Sequence, residues 1–212
     1  YDITPEEFAS YVADMANYGI RVVGGCCGTN PEYIKATIKK LSTIHPNVEK
    51  KEIPSAVCSS SKTVVINQPR IIGERINPTG KKRFKEALKN NDLDYILGQA
   101  IEQAQGGAEI LDVNVGLPGI DEKEMMIKTV KALQGVTNLP LQLDSTIPEV
   151  LEAALRVYNG KAIVNSVNGE EESLKNVLPI VKKYGAAVVG LTLDKDGIPP
   201  KAEKRFEIAK KI

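Results

Sequence analysis

Residues 139–158 read LPLQLDSTIPEVLEAALRVY. LQLD alternates apolar and polar positions, and after a polar Ser-Thr step Pro148 opens a run with apolar residues at helical spacing, so the stretch reads as a strand turning directly into a helix. The same grammar recurs along the second part of the chain. Strands are expected at RIIGE (70–74), EILDVNVG (109–116), LPLQLDS (139–145), KAIVNSV (161–167) and AAVVGLTLD (186–194). Helical stretches such as DEKEMMIKTVKALQ, IPEVLEAALRVY and EESLKNVLPIVKKYG lie between them. Strict alternation of this kind argues for a parallel α/β sheet, either doubly wound or closed as an eight-stranded TIM-type barrel. No Gly-x-Gly-x-x-Gly follows any of these strands, which weakens a dinucleotide fold and puts the β/α barrel ahead.

Each expected strand ends in acids, amides or hydroxyls. Asp112 and Asn114 stand two apart in DVNV and share a face, with Val113 and Val115 on the other. Gln142 and Asp144 repeat that phase, Asn165 closes IVN, and Thr192 with Asp194 closes LTLD. Glu74 and Asn77 close the first strand, but their odd spacing requires the chain to turn between them before both face one pocket. In a parallel barrel the carboxyl ends of the strands line the mouth where ligands bind. Carboxylates and amides there can fork hydrogen bonds onto a flat heterocycle bearing amide and amino groups. A buried structural network is the competing reading for Asp112 and Asn114, and Ser145 with Thr146 reads as the N-cap of the next helix. NPTG (77–80) reads as a turn, and KKRF (81–84) as a solvated helix start.

Upstream, TPEEFASYVADMANYG gives a helix with Thr4 as N-cap, Pro5 at the first helical position and Gly19 as C-cap. IRVVGG (20–25) reads as a buried strand, GGCCGT (24–29) as a loop, and NPEYIKATIKKL as a second helix capped by Asn30. This is the pattern of the last unit of an α/β domain. Between His45 and Pro69 the period breaks among prolines and serines, which marks a linker containing Cys58. The expected organisation is therefore 1–44, a linker at 45–69, and a second domain at 70–212.

The chain has 212 residues, 42% of them hydrophobic, and 28 Lys and Arg against 27 Asp and Glu. That balance offers no field for nucleic acid or an acidic membrane, so small molecules are the expected partners. No apolar run approaches the roughly 20 residues that span a bilayer, and a cytoplasmic protein is expected. Three cysteines, two adjacent, make no disulfide framework. Cys26 and Cys27 could give a zinc ion two ligands, provided the flanking glycines let the backbone leave strand geometry. Buried free thiols are the other reading. His45, in front of a proline, is a poor third ligand.

Two stretches resemble one family. GGCCGTNPEYI looks like the last strand and loop of the homocysteine-binding domain of the cobalamin-dependent methionine synthases, and RIIGERINPTGKKRFKEAL looks like the opening of their pterin-binding domain. DVNVG, LQLDST and IVNSVNG follow in the family's order, so the resemblance runs along essentially the whole chain. It implies parallel β/α barrels, the first represented by its C-terminal unit and the second by its first five βα units. It implies a methyltransferase acting on homocysteine and 5-methyltetrahydrofolate, with methylcobalamin carried by a separate module of a longer polypeptide. Cys26 and Cys27 would be two of three zinc thiolates, the third lying outside this sequence. Glu74, Asn77, Thr79, Asp112, Asn114, Asp144, Asn165 and Asp194 would serve the pterin, with Asp144 and Asn165 orienting the reacting ring. On this reading the sequence is a catalytically incomplete segment. A dihydropteroate synthase or corrinoid-protein methyltransferase shares the pterin barrel without explaining the CCG unit, and a non-catalytic scaffold would leave the cysteines structural.

Overall fold

A computed structural model describes residues 2–45 and 52–212. The chain divides into two compact units, Tyr1–Ile53 and Pro54–Ile212. In the first, α1 (Pro5–Ala16) opens with a capping box in which Thr4 Oγ1 accepts from Glu7 N at 3.3 Å and Glu7 Oε2 accepts from Thr4 N at 2.9 Å. Asn30 caps α2 (Pro31–Leu41) as the sequence implies. Ala9, Val12, Ala13 and Ala16 are buried, small side chains that let the two helices approach closely. Phe8 meets Tyr33 edge to face at 5.7 Å, and the Tyr33 hydroxyl donates to Ile3 O at 2.6 Å.

Two local expectations change here. α1 ends at Ala16 with Asn17 as C-cap, and Gly19 follows in the left-handed region with φ 84°. Residues 20–25 form no strand, and Val22 is 90% exposed. A strand exists only through the ladder it shares with another, and no strand is described among residues 2–45.

The second unit begins with a hairpin of β1 (Ala56–Cys58) and β2 (Thr63–Val65) inside the stretch expected to be linker. Then come β3 (Ile72–Ile76), α3 (Lys82–Lys89), α4 (Leu93–Gln105), β4 (Ile110–Val113), α5 (Glu122–Val136) and β5 (Leu141–Asp144). α6 (Pro148–Val157), β6 (Ile163–Asn168), α7 (Glu171–Tyr184), β7 (Ala187–Leu191) and α8 (Ala202–Lys211) complete it. β3 to β7 form one parallel sheet whose spatial order follows chain order. A doubly wound sheet would reverse that order at a switch point, so the one-way winding is that of a β/α barrel wall.

The two faces of the sheet have separate jobs. Leu111, Val113, Leu141, Leu143 and Val164 belong to the core shared with helical residues such as Met126, Leu133, Leu151 and Ala154. On the opposite, concave face Ile110 and Ile163, near the amino ends of their strands, pack with Val57 and Val64 of the hairpin. The hairpin thus floors the concave face with apolar side chains. Cys58 bridges to Lys161, and the buried Tyr158 hydroxyl donates to Cys58 O at 2.9 Å while accepting from Leu141 N at 3.2 Å. Burial raises the Tyr158 pKa to about 12, keeping that clasp neutral. Gly160, at φ 150°, lies so close to the hairpin that an added Cβ would stand 2.2 Å from Cys58 O. Gly160→Ala should therefore cost about 2 kcal/mol or more, read as a lower unfolding midpoint.

Among the described residues no helix is long and apolar enough to cross a membrane.

Candidate functional sites

Register assembles the polar group on the concave face. Asp112 pairs with Gln142, and Asp144 pairs with Asn165, one step further along the strands. The shared phase read from DVNV and LQLD is therefore converted into a single cluster. Gln142 Nε2 donates to Asp112 Oδ1 at 2.5 Å, and Asn165 Nδ2 lies 3.5 Å from the same oxygen. Asn114 Nδ2 donates to Asp144 Oδ2 at 2.9 Å while its Oδ1 accepts from Gly116 N. From the hairpin upward, the face runs from Ile110 and Ile163 through Asp112 and Gln142 to Asn114, Asp144 and Asn165. An apolar floor beneath a layer of amides and carboxylates suits a flat, polar-edged ring.

Asp112 is 2% exposed, and its pKa is raised to about 6. Burial is the leading cause, the charges of Asp144 and Glu74 add to it, and the hydrogen bonds from Gln142 and Asn165 oppose it. The folded state then holds this proton more tightly than the unfolded chain, so between the unfolded value of 3.8 and about 6 the group's contribution to stability falls as pH rises. Asp112→Asn should accordingly unfold at a higher denaturant concentration than the unaltered protein at pH 8, with the difference vanishing below about pH 4.

The strand carrying Glu74 departs from regular alternation. A register shift lies between Gly73 and Ile76, and Ile76 packs in the helix-facing core. Regular alternation is therefore interrupted between Glu74 and Asn77. Glu74 is exposed beside Lys81 at 3.9 Å, whereas Asn77 is buried and its Oδ1 accepts from Thr79 N at 2.9 Å. Thr79 lines a hollow with Asn114, Gly116, Glu122 and Ser145, and Asp144 and Asn165 line a second hollow of about 440 Å³. Asp194 stands apart from the hydrogen-bonded cluster, accepting from Asp196 N and facing Lys204 at 3.7 Å.

Ser145 and Thr146 do not cap α6, whose N-cap is Ile147 with no side-chain bond. Ser145 Oγ instead donates to Glu122 Oε1 at 2.5 Å and accepts from Ile147 N at 3.1 Å. That contact ties the turn after Asp144 to the first residue of α5. Nothing in the spacing of Glu122 and Ser145, 23 residues apart, announces it.

In the first unit Cys26 and Cys27 are both exposed, and their Sγ atoms lie 3.7 Å apart. A disulfide needs about 2.05 Å, whereas two thiolates at about 2.3 Å from a tetrahedral zinc stand about 3.8 Å apart. The pair therefore fits as two ligands of one ion. The backbone permits it because residues 26–29 form a turn: Thr29 N and Oγ1 both donate to Cys26 O, and Gly28 takes φ 80°. Among the described residues no third His, Cys, Asp or Glu joins them. Cys58 serves its own region, its sulfur 3.3 Å from Lys161 N.

Comparison with known proteins finds two family matches in succession along the chain. Residues 1–41 match the model of the homocysteine S-methyltransferase family, and residues 73–211 match that of the pterin binding enzymes. The methionine synthase of Mycobacterium tuberculosis (strain ATCC 25618 / H37Rv) is 34% identical over 221 residues, covering 100% of this chain and 18% of that protein. The methionine synthase of Mycobacterium leprae (strain TN) is 34% identical over 226 residues, covering 100% and 19%. The chain thus spans about a fifth of the length of these curated relatives. Among solved structures, Xanthomonas albilineans dihydropteroate synthase with 4-aminobenzoic acid is 19% identical, with a TM-score of 0.52 over 74% of this chain and 60% of that one. The Vibrio fischeri ES114 7,8-dihydropteroate synthase is 15% identical, with a TM-score of 0.51 over 74% and 59%. At such identities these two speak to the fold alone. A family match covering most of the chain, on the parallel sheet that carries the polar cluster, decides the affiliation: the protein belongs to the pterin binding enzymes.

Proposed function

We propose that this chain is a segment of a cobalamin-dependent methionine synthase, contributing to transfer of a methyl group from 5-methyltetrahydrofolate, by way of cobalamin, to homocysteine. The observation that carries the reading is the succession of a paired-thiol turn and a pterin-type concave site, in the order of the two matched family models. A dihydropteroate synthase reading leaves the homocysteine S-methyltransferase match over residues 1–41 without a role. The proposed organisation is a homocysteine unit at 1–44 and a pterin unit at 70–212, with the β1–β2 hairpin of the intervening stretch packed beneath the pterin sheet. Methylcobalamin belongs to a separate module of the longer polypeptide, and the setting is cytoplasmic.

In the first site, Cys26 and Cys27 would hold zinc, with a third thiolate supplied by the longer polypeptide. When bound, zinc supplies the positive charge that draws the proton from the homocysteine thiol. The chain's own contribution is to present two adjacent sulfurs at the right separation on a turn fixed by Thr29 and Gly28.

In the second site, a tertiary ring amine leaves its methyl group more readily once protonated. Asn165 and Asp144 orient the pterin ring and favour its protonated form. Asn114 holds the Asp144 carboxylate at 2.9 Å, so that carboxylate is positioned before ligand arrives. Asn77, Thr79 and Asp112 add contacts around the ring, with Glu74 and Asp194 at its edges. Calorimetric titration of the longer polypeptide with 5-methyltetrahydrofolate tests the reading directly. Saturable binding that p-aminobenzoate does not displace supports it, and an absence of binding overturns it.

A further inference from the structure

Gln142 lies between the apolar floor and the Asp144–Asn165 pair, and none of the roles assigned above uses it. Its residue is 7% exposed, its Nε2 is committed to Asp112, and its Oε1 is buried with no hydrogen-bond partner. A buried carbonyl oxygen left unpaired carries a desolvation cost that a native site removes by bringing a donor. We propose that Gln142 is a positioning residue of the pterin site: Nε2 fixes the Asp112 carboxyl, and Oε1 accepts one hydrogen bond from an N–H or O–H donor that arrives with the bound heterocycle. The inference rests on the pterin reading of this face and adds to it a residue and a contact.

The surroundings make this arrangement specific. Asp112 faces Gln142 and Asp144 from β5, Asn165 from β6 and Glu74 from β3. No cation is among these partners, so the Gln142 amide is the shortest hydrogen bond that Asp112 receives. Exchanging Gln142 O and N would bring Oε1 against the Asp112 carboxylate, a repulsive pairing unless that carboxyl is protonated. With Nε2 toward Asp112, Oε1 is left without a hydrogen-bond partner. The donor is either a ring N–H or amino group of the heterocycle, or a water held beneath it.

The test compares the longer polypeptide with its Gln142→Met variant, which keeps bulk but loses both polar atoms. 5-Methyltetrahydrofolate affinity is measured from pH 5 to 8 in each. The variant should bind about tenfold more weakly, because a buried acceptor is lost. Its binding midpoint attributable to Asp112 should also move upward, because the hydrogen bond from Gln142 lowers that pKa. A purely packing role would leave that midpoint in place. Tight binding with unchanged affinity and midpoint in the variant overturns the inference alone. No binding by the unaltered protein overturns it together with the pterin reading. Should Gln142→Met fail to fold, a crystal structure of the unaltered complex decides. A ligand nitrogen or a water within about 3.2 Å of Oε1 supports the inference and identifies the source of the donor, and an Oε1 still unpartnered overturns it.

Discussion

Cys26→Ala, made in the longer polypeptide, is expected to purify without the zinc that the unaltered protein retains. Removing a partner around a metal ligand typically costs about 10–100-fold in metal affinity, and removing a ligand itself costs more. Cys27→Ala should behave alike, since the two sulfurs 3.7 Å apart sit on one turn and neither replaces the other. Cys58→Ala is the control. Its sulfur accepts from Lys161 at the floor of the other unit, so zinc content should not change. Metal analysis reads all three, and equal zinc in Cys26→Ala and the unaltered protein would remove the pair from the metal site.

The second large effect is expected from Asn165→Ala. Asn165 stands in register with Asp144 and its Nδ2 reaches toward Asp112, so its side chain links both layers of the cluster. Removing an amide that hydrogen-bonds a bound ring should weaken 5-methyltetrahydrofolate by about 10–100-fold. The fold should persist, because the neighbours facing the helices, Val164 and Val167, are untouched. Calorimetry alongside thermal unfolding separates the two outcomes. Unaltered binding would remove Asn165 from the site, and lost binding with an equal loss of cooperative unfolding would make its role structural.

Most of the second unit was legible because each strand carries its own signature. Leu141 and Leu143 face the helices while Gln142 and Asp144 face the cavity, and period-two alternation records that choice locally. The joint placement of Asp112, Asn114, Asp144 and Asn165 follows from phase, which the sequence carries, and from register, which the paired strands set. Other features depend on partners distant in the chain. IRVVGG has the composition of a strand, yet no strand among residues 2–45 offers it a ladder. The hairpin hides in a serine-rich run that reads as linker, although SSSK between AVC and TVV has the length of a hairpin loop. Gln142 could be placed on the cavity face from phase, but its unpaired oxygen follows from three-dimensional packing. Ser145 sits where an N-cap belongs, and only the nearness of Glu122 draws its hydroxyl elsewhere.

One stretch of chain is proposed to contribute to two chemically separate sites, one for homocysteine and one for the pterin. Two half-reactions assayed with exogenous cobalamin test it most directly: methyl transfer out of 5-methyltetrahydrofolate and methyl transfer into homocysteine, each measured in Cys26→Ala and Asn165→Ala versions of the longer polypeptide. A crossed result is expected. Cys26→Ala abolishes the transfer into homocysteine and leaves the transfer out of 5-methyltetrahydrofolate intact, and Asn165→Ala slows the second by about 10–100-fold and leaves the first intact. Loss of both half-reactions in either variant that remains folded, or of neither, would contradict it.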